Sequence, residues 1–187
     1  MLRIISGQWR QRRLKVPLST MTRPTTDRVR EALFNILIHT YDMDFHGLIV
    51  ADIFAGSGAF GLESLSRGAA SCYFIENNPN VLKILKENIS TLKAESHSHI
   101  VTDELPILNH LRCLGWEKSD LIFLDPPYGK NLAVLTLSAL QHDKGLNSKT
   151  LIVIESSAKD IPKTIDGLVC DQCRIYGQTA LSFWRKS

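Results

Sequence analysis

Four short apolar runs dominate the hydrophobic pattern of the chain: Leu48-Ile49-Val50-Ala51, Cys72-Tyr73-Phe74-Ile75, Leu121-Ile122-Phe123-Leu124 and Leu151-Ile152-Val153-Ile154. None contains a charge, as expected of strands covered on both faces. Helical spacing occupies the intervals. Val29, Ala32, Leu33, Ile36 and Leu37 form one stripe, with Thr26 placed to cap it. Phe60, Leu62 and Leu65 begin a second helix that runs to Arg67 and stops at Gly68. Pro79 suits the first turn of a third helix ending at Leu92, and Leu132 to His142 forms another. A short strand over Ile100–Thr102 and a short helix near Leu105–Leu111 complete the alternation. Two last strands, about Val169–Ile175 and Thr179–Arg185, meet at Gly177-Gln178 as a hairpin. The predicted fold is α/β and Rossmann-like: a mainly parallel seven-stranded sheet, an antiparallel edge hairpin and helices on both faces. Residues 1–22 read as a small basic β-hairpin extension closed by Pro17, and 23–187 as the main domain.

The chemistry gathers where strands end, which is where ligands bind in open α/β sheets. Asp125-Pro126-Pro127-Tyr128 follows the third apolar run. Two prolines remove two backbone donors and fix two φ angles, so the segment is stiff and presents carbonyl oxygens. Asp125 adds a carboxylate acceptor and Tyr128 a flat ring. This suits a planar heterocycle with an exocyclic amine: two N–H donors and a π-face. Accepting both N–H groups at Asp125 and the Pro126 carbonyl draws the nitrogen towards tetrahedral geometry and frees its lone pair for an electrophile held above it, a matter of positioning and preorganisation. The plainer alternative is a strand-ending turn, where these residue types are common.

A second motif argues against that alternative. Asp52-Ile53-Phe54-Ala55-Gly56-Ser57-Gly58-Ala59-Phe60-Gly61 follows the first apolar run and opens a helix, with glycines in the G-x-G-x-x-G arrangement of nucleotide-binding turns. Glu76, followed by Asn77, ends the next strand twenty positions beyond Gly56, where an acid binds a ribose diol. A nicotinamide dinucleotide would use the same glycines and acid but has no need of an amine cradle at Asp125. S-adenosylmethionine explains both motifs, providing an adenosine for Glu76 and an electrophilic methyl group for the amine. Asp52, leading the turn, suits its ammonium group better than it would suit a pyrophosphate.

With both motifs in place, the chain resembles the small class I methyltransferases that modify exocyclic amino groups. Within them it is similar to the RsmD-type family, which methylates guanine N2 in bacterial small-subunit ribosomal RNA. The specific stretch is Arg23-Pro24-Thr25-Thr26-Asp27-Arg28-Val29-Arg30-Glu31-Ala32-Leu33-Phe34-Asn35; the Asp52–Glu63 loop and Asp125–Tyr128 recur across the superfamily. Arg3-Ile4-Ile5-Ser6-Gly7-Gln8-Trp9 and Gly177-Gln178-Thr179-Ala180 extend the likeness over nearly the whole chain. The family carries glycines where this chain has Ser6 and Gln11. The resemblance implies the class I methyltransferase fold, with S-adenosylmethionine held by Asp52, Phe54, Gly56, Ser57, Gly58, Glu76, Asn77 and Asp103, the last of them at the adenine. It implies catalysis by Asp125, Pro126, Pro127 and Tyr128, S-adenosylhomocysteine as product and no metal. The implied substrate is guanine 966 of 16S ribosomal RNA on assembled or partly assembled small subunits, and the implied enzyme is a monomer. Alternatives are a glutamine methyltransferase of release factors, which usually carries asparagine in place of Asp125, and a catalytically silent RNA-binding module. A DNA adenine methyltransferase would need a recognition domain for which 187 residues leave no room.

Charge adds a partner surface. The net charge of +3 conceals a basic N-terminus: residues 1–30 hold eight basic side chains against Asp27 alone, a surplus of +7, leaving −4 for the remainder. Trp9, Arg10, Arg12, Arg13, Lys15, Arg23 and Arg28 are the candidate RNA-binding residues, since a basic arm on an acidic body fits a phosphate backbone. No apolar run approaches the roughly 18 residues of a membrane span, and the expected location is the cytoplasm. Cys170-Asp171-Gln172-Cys173 has C-x-x-C spacing, but the pair falls in a strand-like stretch, where residues three apart point to opposite faces. No second cysteine pair completes a zinc site, and the six histidines are scattered.

Overall fold

The computed structural model of the protein describes residues 2–17, 27–102, 118–127, 132–142 and 146–187. Seven strands, β1 Ile49–Ile53, β2 Ser71–Ile75, β3 Ser98–Val101, β4 Leu121–Leu124, β5 Leu151–Ser157, β6 Leu168–Tyr176 and β7 Thr179–Lys186, form one sheet in the order β3-β2-β1-β4-β5-β7-β6. Strands β1 to β5 are parallel, and β7 runs antiparallel between β5 and β6. The predicted sheet and its edge hairpin are both present. Strand order reverses between β1 and β4, so their carboxyl ends flank the switch point at which such sheets bind ligands.

Each apolar run is split between two cores by the two-residue period of a strand. Val50, Cys72, Phe74, Leu121, Phe123, Leu151 and Val153 face one core, shared with Leu33, Phe34 and Leu37 of α1 (Asp27–His39). Phe60, Leu62 and Leu65 of α2 (Ala59–Ser66) and Leu85, Ile89 and Leu92 of α3 (Pro79–Leu92) join the same core. Ala51, Ile53, Ile75, Ile122, Leu124, Ile152, Ile154 and Trp184 face the other, with Ala133 and Leu137 of α4 (Leu132–His142). The α3 start is as the sequence implied: Pro79 opens it, and the Asn78 carboxamide oxygen accepts from the amides of Asn80 at 3.0 Å and Val81 at 3.4 Å. Among the described residues no helix is long and apolar enough to cross a membrane.

Three expectations need correction in detail. The buried stripe of α1 is Val29, Arg30, Leu33, Phe34 and Leu37, so Arg30 lies in the core-facing stripe rather than adding to surface charge. Among the described residues the N-terminal hairpin is pinched at one bridge, Arg3 with Arg13, and Leu2, Ile4 and Leu14 are buried in the first core. The cysteine geometry also differs. A register shift between Cys170 and Gln172 sets Cys170 opposite Trp184 and Cys173 opposite Ser182, so one extra residue in the edge strand returns both thiols to the same face. Both are exposed, and partial burial raises both thiols above their usual range. Thr26, Cys113 and the expected helix near Leu105–Leu111 lie outside the described residues.

The arm is fastened by a buried acid. Glu63 on α2 is fully buried, and its carboxylate accepts from the Ile5 amide at 2.6 Å, the Ser6 amide at 2.9 Å and Arg67 Nε at 2.8 Å. Gly7 then passes so close to α2 that a Cβ would stand 1.8 Å from the Ser66 carbonyl oxygen. Gln11 adopts φ +70°, the left-handed region that favours glycine, and its side-chain oxygen accepts from Arg3 Nη1 at 2.7 Å. Glu63→Ala strands two arm amides and a half-paired Arg67. It should cost about 3–5 kcal/mol, as for breaking other buried ion pairs. Urea denaturation measures this directly; a loss below about 1 kcal/mol, the scale of an exposed pair, would show that the acid does not hold the arm.

Candidate active site

The strand register aligns acids along one edge of the sheet. Asp52 of β1 pairs in register with Phe74 and Phe123 and points with them into the first core. One layer further, β2 is followed by Glu76 and β1 by Phe54, β4 is followed by Asp125, and β5 supplies Glu155, next after the Leu124–Ile154 pair. Four carboxylates thus stand at the carboxyl ends of four neighbouring strands on one face.

The glycine loop is built around two of them. Asp52 is buried, and its Oδ2 accepts from the Gly61 amide at 2.9 Å, satisfying a donor in the first turn of α2. Glu76 accepts from the Gly56 amide at 3.1 Å with one oxygen, and from the Asn77 and Asn78 amides at 3.0 and 2.9 Å with the other. Phe54 takes φ +65°, a strained conformation for an aromatic residue at a ligand loop. Gly56 and Gly58 also take positive φ, +57° and +78°. A Cβ on Gly56 would meet only the Phe54 carbonyl oxygen, at 3.9 Å, so its lack of a side chain leaves the loop wall open. Gly58 and Gly61 are glycines for packing, since a Cβ on them would meet Leu85 at 2.5 Å and Phe74 at 2.3 Å.

A cavity of about 120 Å³ opens against this loop. It is lined by Asp52, Gly56 and Ser57 from the loop, Asp125 from the β4 end, and Arg30 and Leu33 from α1. Its electrostatics are set by crowded acids. Burial raises the Asp52 carboxyl to about 7, partly offset by the Gly61 amide and reinforced by Glu76. Burial likewise holds the Asp125 carboxyl well above the usual carboxylate range, with Glu155 and Asp52 adding repulsion.

Most of the expected site residues therefore converge. Asp52, Phe54, Gly56, Ser57 and Asp125 share the cavity wall. Gly58 and Glu76 brace the loop from behind. Asn77 is exposed beside Glu76, Pro126 is buried and Pro127 is exposed. Asp103, Tyr128 and Arg23 lie outside the described residues. Arg10, Arg12, Arg13 and Arg28 are exposed, Lys15 pairs with Glu87 at 2.9 Å, and Trp9 is half-buried against the first core. Two residues were missed. Glu155 has the same signature as Asp52, Glu76 and Asp125, an acid after an apolar run. Arg30 interrupts the apolar stripe of α1 at a core-facing position.

Because the folded Asp52 titrates near 7 instead of 3.8, the fold prefers its neutral form. That preference stabilises fully below the unfolded value and is lost as pH rises through about 7. Asp52→Asn, which keeps an acceptor for Gly61, should therefore gain on the parent between pH 4 and 8 by up to about 4 kcal/mol. Paired urea titrations across that range give the comparison. Parallel pH dependences would mean that charging Asp52 carries no penalty.

The site can be set beside known proteins. Residues 2–185 match the family model described as conserved hypothetical protein 95. The chain is 37% identical over 186 residues to the ribosomal RNA small subunit methyltransferase D of Escherichia coli, covering 99% of this chain and 90% of that one. It is 39% identical over 161 residues to the protein of the same name from Haemophilus influenzae, covering 86% of this chain and 81% of that one. The solved structure of yhhF from Escherichia coli superposes with a TM-score of 0.80 at 34% identity, over 100% of this chain and 98% of that one. A precorrin-6y C5,15-methyltransferase from Geobacter metallireducens, 18% identical with a TM-score of 0.66 over 93% and 94% of the two chains, shares the fold. With a family model spanning nearly every residue and full-length relatives above 30% identity, the chain belongs to the conserved hypothetical protein 95 family, that of the RsmD-type methyltransferases.

Proposed function

We propose that this protein transfers a methyl group from S-adenosylmethionine to the exocyclic N2 of a guanine in small-subunit ribosomal RNA. The carrying observation is that both chemical motifs line one cavity, Asp52, Gly56 and Ser57 on one side and Asp125 on the other. The names of the relatives support the RNA, and the family resemblance supports guanine N2, position 966 and a substrate presented on assembled or partly assembled subunits.

The residues fit that cofactor. The open wall at Gly56 admits a ligand against the backbone, and Gly56, Ser57 and Gly58 wrap its amino-acid end with Asp52 at the ammonium group. Glu76, half-exposed and already accepting backbone N–H groups, offers its remaining lone pairs to a ribose diol, with Asn77 beside it. Phe54 closes the wall between the loop and Asp125. Bound there, S-adenosylmethionine supplies an electrophilic methyl group. Asp125 and the Pro126 carbonyl accept the two N–H groups of the target amine, and Pro127 stiffens the segment. A carboxyl with proton affinity raised by burial and by Glu155 suits taking up the proton that the amine releases. Asp103 and Tyr128 are assigned to the adenine and the target base by sequence. A guanine in a loop reaches such a site cheaply, whereas a paired one must first be extruded at a cost of a few kcal/mol.

The N-terminal arm supplies the RNA surface. Arg10, Arg12 and Arg13 are exposed and form no ion pair among the described residues, whereas Arg3 pairs with Asp27 and Lys15 with Glu87.

Removing the amine acceptor should spare binding and abolish chemistry. Asp125→Ala should lose at least two orders of magnitude in turnover, as for other deleted transition-state groups, with S-adenosylhomocysteine affinity by calorimetry nearly unchanged. Undiminished turnover would refute the amine cradle. For the arm, replacing Arg10, Arg12 and Arg13 with glutamine should weaken binding to small subunits and flatten its dependence on salt. Each lost phosphate contact should reduce the log–log slope by about 0.7 to 0.9. Identical salt titrations for parent and variant would mean that the arm does not touch the RNA backbone.

A further inference from the structure

Arg30 is out of place for a helix-surface arginine. Its side chain is 3% exposed and sits on the core-facing stripe of α1, against the cavity that Asp52, Gly56, Ser57 and Asp125 line. Among the described residues one nitrogen accounts for its hydrogen bonds: Nη2 donates to the Arg3 carbonyl and to Asp27 at 3.0 Å. Nε and Nη1 are buried with no hydrogen-bond partner among the described residues. Tying α1 to the arm requires Nη2 alone, so the structural role leaves the Nε and Nη1 donors unexplained. Unpaired buried donors are costly, and a charged N–H group of this kind bonds strongly to a carboxylate or phosphate oxygen.

We infer that Arg30 anchors the carboxylate of the cofactor's amino-acid end, with Asp52 taking the ammonium group of the same moiety. This rests on the reading of S-adenosylmethionine as the methyl donor. An α-amino acid carries one positive and one negative group a short distance apart, and beside Asp125 at the target amine the cavity wall presents the buried Asp52 and the buried Arg30. A phosphate of the RNA backbone carries the same kind of anion, but it stays with its strand at the protein surface, where Arg10, Arg12 and Arg13 stand. Arg30 lies beneath the arm and beside the loop, the side from which a small ligand's end reaches it. Its own surroundings leave it short of negative charge. Burial lowers the guanidinium's proton affinity, and Glu63 and Asp27 only partly offset this, Glu63 being already engaged by Arg67 and two amides.

The test compares S-adenosylhomocysteine with its carboxylate-free analogue, 5′-deoxy-5′-(3-aminopropylthio)adenosine, by calorimetry on the full chain. The parent should bind S-adenosylhomocysteine at least tenfold more tightly than the analogue. Arg30→Met should bind the two within about twofold of each other, and Arg30→Lys should recover part of the preference. A purely structural arginine would weaken both ligands alike and preserve their ratio, which would overturn the assignment. A measurement on the unaltered protein guards against a variant that fails to fold. The Arg30 Nε–H resonance, identified by its loss in Arg30→Lys or by triple-resonance assignment, should move on adding S-adenosylhomocysteine and stay still with the analogue. A resonance indifferent to both overturns the inference. A resonance that moves only on adding a short RNA oligonucleotide assigns the arginine to a phosphate and overturns it equally. If the parent binds no S-adenosylhomocysteine at all, the methyl-donor reading itself falls, an outcome distinct from binding that ignores Arg30.

Discussion

Four carboxylates on one edge of a parallel sheet are the constraint around which this molecule is arranged. Parallel strands in register set Asp52, Glu76, Asp125 and Glu155 on the same face, at or beside the carboxyl ends of β1, β2, β4 and β5. Charges buried so close together repel, and burial alone already disfavours them. The fold answers with backbone donors. Gly61 turns its amide to Asp52, and Gly56, Asn77 and Asn78 turn theirs to Glu76. The glycine loop is therefore shaped by the acids as much as by any ligand. At Asp125 burial, and then Glu155 and Asp52, raise the proton affinity.

The N-terminal arm belongs to the same design. Leu2, Ile4 and Leu14 are part of the core beneath the site, and Glu63 holds the backbone of Ile5 and Ser6 from inside α2. Arg30 links the two halves, touching the arm through Nη2 while lying against the cavity. The proposed RNA surface is thus mechanically joined to the wall of the proposed cofactor cavity. The arm's buried side chains fix its position while Arg10, Arg12 and Arg13 stay exposed.

The strands were readable because each is a compact apolar run, and a parallel sheet buried on both faces demands that pattern. Pro79 at the start of α3, and the turn at Gly177, were readable because their backbone geometry needs those residue types. Side-chain chemistry within a single strand end, such as Asp125 or the Asp52 loop, was also legible. Relations between strands were not. Nothing local to Glu155 says that it stands beside Asp125, since that depends on the β4–β5 register. Arg30 was counted as surface charge because its burial is set by the arm and α2, far away in sequence. The same holds for Cys170 and Cys173: a single bulged residue in β6 brings the two onto one face. The positive φ of Phe54 is likewise a product of the loop closing on Glu76 through Gly56, not of phenylalanine's preferences.

The central claim is that this edge of carboxylates works on an aromatic amine in ribosomal RNA. The most direct measurement incubates the protein with methyl-labelled S-adenosylmethionine and, in parallel, naked 16S RNA, small subunits lacking the modification and an unmethylated release factor, followed by nucleoside and amino-acid analysis. The account predicts label in N2-methylguanosine at a single position of the small-subunit RNA. Label in methylglutamine, in another nucleoside, or in none of the three substrates would contradict it.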